Sequence, residues 1–144
     1  MASTISNAAL TVTVTETLNI NGSNHGSEKQ MTISGVNEVS KRIMTITTSG
    51  TQIFKGHATL ASFGQYIYGN VKYIRITNLD DTNPVAIHIE DTNNTTYAQI
   101  LVPAGHVFFL TDAASSYGGA AAAAVPTGNI ERIDAIASTD SVDI

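Results

Sequence analysis

Threonine alternates with apolar residues along residues 10–20, LTVTVTETLNI: Leu10, Val12 and Val14 share one parity, and Leu18 and Ile20 resume it. β-Branched side chains fit an extended backbone, and a period of two gives one buried and one wet face, so this stretch predicts a strand. Residues 21–30, NGSNHGSEKQ, are small and polar with two glycines and predict a long hairpin loop. MTISGV follows as a short second strand. VSKRIMTITTSG predicts a third, with Met44 and Ile46 on one parity and Ile43 on the other, closed by Ser49-Gly50. Residues 51–70 are rich in aromatics and glycine and show no clear period. Residues 71–110 then predict three or four strands separated by turns at Asp80-Asp81-Thr82-Asn83-Pro84, at Asp91-Thr92-Asn93-Asn94 and at Pro103-Ala104-Gly105-His106.

Five alanines at 120–124 favour a helix by propensity. Gly118-Gly119 before them and Val125-Pro126 after them leave room for a loop or one turn. In NIERIDAIASTDSVDI, Ile133, Ala135 and Ala137 share one parity while Ile130 and Ile136 share the other, as in a strand buried on both faces. An amphipathic helix with Ile133, Ile136 and Ala137 on one face is the alternative. About eight short strands, frequent turns and little or no helix predict an all-β fold, an antiparallel β-sandwich of jelly-roll-like form. Residues 1–9, small and polar, are expected as a flexible N-terminal arm, with residues 10–144 forming a single sandwich domain.

Composition narrows the function. The chain has 144 residues and a net charge of −5 from 7 basic and 12 acidic side chains, with Lys41-Arg42 the only adjacent basic pair. Nucleic-acid binding needs a basic footprint, so it is not expected. The absence of cysteine excludes disulfides, a thiol nucleophile and cysteine-ligated metals. Neither a secretory leader nor a membrane span is expected, because residues 1–10 lack a basic start and an apolar run, and no apolar stretch approaches about 18 residues. Only 13% of residues are charged, against about 25% in a typical domain. Hydroxyls and amides then keep the surface wet, or part of the exterior is covered by other subunits.

Candidate chemistry is thin. His25, His57, His88 and His106 are not paired at i,i+2 or i,i+4, as a metal site on one strand or helix would require. A metal-dependent cupin-type enzyme would use His57, His88 or His106. His88 alternates with Val85, Ile87 and Ile89 and belongs on the opposite face, beside Ala86 and Glu90. Asp80, Asp81 and Asn83, with Asp91 and Asn93, offer hard oxygen ligands for calcium, but without EF-hand spacing they read first as turn caps. No G-x-S-x-G elbow or poised carboxylate pair is present, so no catalytic residue, metal or cofactor is assigned. Tyr66, Tyr68, Tyr73, Tyr97 and Tyr117 fit either cross-strand packing or a sugar-stacking platform.

Val71 to Ile144, about half the chain, resembles small virion structural proteins of tailed bacteriophages, especially those of marine and cyanobacterial phages. The resemblance lies in the strands YIRITN and VAIHI, the LVPAG turn before an aromatic strand, and the closing IDAIASTDSVDI. It implies a capsid decoration (cement) protein or a small head or tail accessory protein, non-enzymatic and resident in the virion after synthesis in the host cytoplasm. Expected partners are further copies of the chain, a trimer being favoured, and the major capsid protein or other virion proteins. Candidate contact residues are Ala2, Ser3, Thr4 and Ile5 of the arm, with Tyr66, Tyr68 and Tyr117. The alternative is a glycan-binding module of a fibre or spike.

Overall fold

In the computed structural model the described residues are 6–60, 62, 65–91, 97–111 and 130–144, the side chains of Asp91 and Tyr97 excepted. Their regular structure is all-β, apart from one 3₁₀ turn at Tyr68–Asn70. Contacts group the chain into two compact units, Met1–Lys41 and Arg42–Ile144.

The first unit is one long ribbon. Strand β1 (Ala8–Thr15) runs antiparallel to β4 (Glu28–Val36), with Leu10 opposite Ile33, Val12 opposite Met31 and Val14 opposite Lys29. Between them β2 (Asn19–Ile20) pairs with β3 (Ser23–Asn24) around a two-residue turn at Asn21-Gly22. Both turn residues have positive φ, 51° and 82°, which matches the twist of the flanking strands and suits Asn-Gly. Bonds from Glu16 N–H to Ser27 O and from His25 N–H to Leu18 O, both 2.7 Å, carry the ladder between the two strand pairs. A Cβ on Gly26 would overlap the Glu16 carbonyl, so this residue keeps the ribbon closed at its middle. The long loop expected at 21–30 is therefore corrected: Asn21-Gly22 is the turn, and Ser23–Asn24 and residues 28–30 belong to strands.

The second unit is a sandwich-like arrangement. Its main sheet has the order β10 (Tyr97–Val102), β9 (Val85–Asp91), β12 (Ile130–Ala137), β6 (Thr51–His57), β7 (Tyr66–Ile67), antiparallel except for the short parallel β6–β7 pair. A ribbon of β8 (Tyr73–Thr77) and β11 (Val107–Thr111) and a clamp of β5 (Thr45–Ile46) and β13 (Val142–Asp143) supply the other layer. Val85, Ile87 and Ile89 of β9 and Ile133, Ala135 and Ala137 of β12 point inward and are buried. Their register sets Ile133 against Ile89, Ala135 against Ile87 and Ala137 against Val85. Ile46, Ile53, Ile76, Val102, Ile130 and Val142 complete the core, flanked by half-buried Ile74, Phe108 and Leu110. Residues 130–137 form the expected strand, not the alternative helix. One of its faces is buried; Arg132, Asp134 and Ile136 on the other are half-buried.

Candidate functional site

The outer face of the main sheet gathers the polar chemistry. Register places His88 of β9 opposite Asp134 of β12 on one side and Gln99 of β10 on the other, with Glu90 opposite Arg132. The Arg132 guanidinium forks onto Asp134, with Nη2 2.5 Å from Oδ2 and Nε 3.0 Å from Oδ1, and lies 3.8 Å from Glu90. Beside this cluster is a depression of about 180 Å³ lined by Gly50, Gln52, His88, Arg132 and Asp134, among others. His88 faces away from Val85, Ile87 and Ile89, as its alternation requires. Its Nε2 is sealed from solvent without a hydrogen-bond partner among the described residues. Asp134 is occupied by Arg132, which makes it an anchor for the guanidinium.

His57, His88 and His106 fall on different elements. His57 closes β6, His88 sits in mid-β9, and His106 bonds the Ala104 carbonyl through Nδ1 at 2.7 Å in an exposed turn. Among the described residues no three His, Asp or Glu side chains gather to hold a metal ion.

Asp80, Asp81 and Asp143 border an open groove with Ile43, Thr45, Leu79 and Ser141. Asp80 accepts the backbone N–H groups of Asn83 (2.6 Å) and Thr82 (2.8 Å), which hold its carboxyl below the usual carboxylate range, the Asn83 bond first. Its Oδ1 is thereby engaged in capping its own turn. Asp143 accepts from the Thr45 hydroxyl at 2.6 Å. Of the second expected calcium turn, Asn93 and the Asp91 side chain lie outside the described residues. With a folded value below the unfolded one, the Asp80 contribution is complete above the ordinary carboxylate value and fades as pH falls through the folded value. Asp80→Asn, which has no proton to take up there, is expected to flatten the acid limb of a plot of melting temperature against pH below about 4.

Tyr66 and Tyr68 are half-buried. The Tyr66 ring stacks on Phe54 at 5.9 Å between centroids, and Tyr68 lies over Gly56, where an added Cβ would come within 2.7 Å of the tyrosine Cβ. Both pack locally on β6. Ala2, Ser3, Thr4, Ile5, Tyr117 and the alanine run lie outside the described residues.

Apolar surface is the more prominent feature. No described residue of the first unit is buried: Leu10, Val12, Val14, Met31 and Ile33 form a row that is only half-covered, and Leu18 and Ile20 are about half-exposed. In the second unit Leu101 of β10 is 62% exposed, and Ile43 and Leu79 stand open beside the acidic groove. The sequence foretold the alternating row. Compared with known proteins, the chain matches no family model, no curated protein and no solved structure.

Proposed function

We propose that this chain is a non-enzymatic structural subunit of a phage virion, a decoration protein that associates with copies of itself and ties neighbouring capsomers together. The observation that favours an assembly role is the ribbon of the first unit. A two-stranded ribbon is marginal alone in water and becomes stable when its apolar face packs on something else. Here the cross-strand pairs Leu10–Ile33 and Val12–Met31 form such a face, and no described residue of the unit is buried. The resemblance of residues 71–144 to small virion proteins suggests the partner, a capsid lattice.

Function is then mass action. A subunit that binds only the assembled shell stabilises it by RT ln(1 + [L]/Kd), about 4 kcal/mol at a thousandfold excess over Kd. Low charge suits such a surface, since few ionic groups lose their water on docking.

Val12→Lys places an ammonium in the middle of the apolar row and is expected to weaken binding to purified capsids of the phage that carries the chain by about tenfold or more, a loss of about 1.4 kcal/mol. Co-sedimentation with those capsids reads the effect, and electron microscopy of the native particle locates the protein. A strictly monomeric chain that fails to bind shells overturns the proposal.

A further inference from the structure

We propose that β10 pairs with the β10 of a second copy, antiparallel about a two-fold axis through Gln99, so that two five-stranded sheets become one. The main sheet has two edges, β7 with two residues and β10 with six. Proteins that stay apart blunt such edges with lysine, proline or a bulge. β10 reads Tyr-Ala-Gln-Ile-Leu-Val, has none of these, and keeps an unbroken register with β9. Among the described residues no strand pairs with its outer edge. Gln99 and Leu101 are exposed there, Leu101 by 62%.

The occupant is argued from charge and register. About a two-fold axis every residue meets its own kind or its reflected position, so a charged edge repels itself. β10 is uncharged in a chain of net charge −5, which makes it fit to meet its own copy. An axis normal to the sheet keeps outer side chains on the outer face, which requires residues of equal parity to stand opposite. With Gln99 on the axis, its carboxamide meets the partner's carboxamide, donor to acceptor, and Ala98 stands opposite Ile100, small against large. Pro103 comes immediately after the strand and limits the paired strip to β10.

This pairing is independent of the virion role and is tested by sedimentation equilibrium on the full chain. Wild type is expected to form an even-numbered assembly. Gln99→Lys and Gln99→Glu each set like charges together on the axis and are expected to weaken it by about tenfold. An equimolar mixture of the two variants is expected to recover it, which a merely local structural role for Gln99 would not produce. Far-UV circular dichroism confirms that both variants fold. A strict trimer, or an assembly indifferent to both variants, overturns the pairing and leaves the virion role intact. A monomeric wild type that still binds shells also overturns only the pairing, whereas one that fails to bind shells overturns both.

Discussion

Ile133→Ala is expected to lower the unfolding free energy by about 3 kcal/mol, within the range of about 2–5 kcal/mol for truncating a large buried aliphatic side chain. Ile133 is fully buried at the middle of β12. It stands opposite Ile89 on one side and Phe54 on the other, and a register irregularity follows it on the β6 side. Strands flank β12 on both sides, so the backbone cannot sink into the space left by the missing methyl groups, and most of the cavity remains. Ile136→Ala on the same strand is the control. That residue is half-buried on the outer face, where solvent can fill the gap, and about 1 kcal/mol is expected. Urea denaturation separates the two by their midpoints. Equal slopes are expected, because neither change alters the surface exposed on unfolding. Equal losses at the two positions would mean that the inner face is not the core.

Asn78→Ala should cost a similar amount by a different route. Asn78 is 1% exposed, the one buried polar residue among those described. Its Nδ2 donates to the carbonyls of Asn83 (2.9 Å) and Val102 (3.2 Å), and its Oδ1 accepts the Asp80 N–H at 3.0 Å. One side chain thus ties the β8–β9 turn to the end of β10. Alanine leaves the buried Val102 carbonyl short of a donor, at about 1–3 kcal/mol, beyond the loss of the remaining bonds. Asn78→Asp is nearly the same shape, yet it sets a carboxylate against two carbonyl oxygens. It should be at least as damaging at pH 7 and should partly recover in acid, where a protonated carboxyl donates again. Thermal melts at pH 7 and pH 4 read both effects. An aspartate variant as stable as wild type at pH 7 would remove Asn78 as the tie.

Alternation carried most of the fold. Val85, Ile87 and Ile89 announce an inward face, and the same parity rule places His88 outside; both hold because side-chain direction on a strand is local geometry. The ribbon was less legible. Ser23, Asn24 and Glu28 are exposed ladder residues, and polar composition hid strand behind loop, although Asn21-Gly22 is itself the turn signal. The parallel β6–β7 pair was beyond reach, since residues 51–70 follow no period and their pairing is decided by distant contacts. On the sheet's outer face, Arg132 and Asp134 are two apart and so share a face by sequence alone. Their meeting with Glu90 depends on the register of β12 against β9, which no local pattern states. Asn78 stands at the end of YIRITN without any local mark, and only tertiary packing makes it interior.

The β5–β13 clamp has a consequence for synthesis. Met44 and Ile144 exchange backbone bonds in both directions at 3.0 Å, and Leu79 N–H donates to the Asp143 carbonyl at 2.9 Å. The N-terminal ribbon closes through near neighbours and needs only microseconds once its turn leaves the ribosome. The second unit must instead hold Ile46 and Ile53 in waiting until Ile133 and Val142 have been translated. Pairings of that span make it the slow step, with its apolar strands bare on the nascent chain for the longest time.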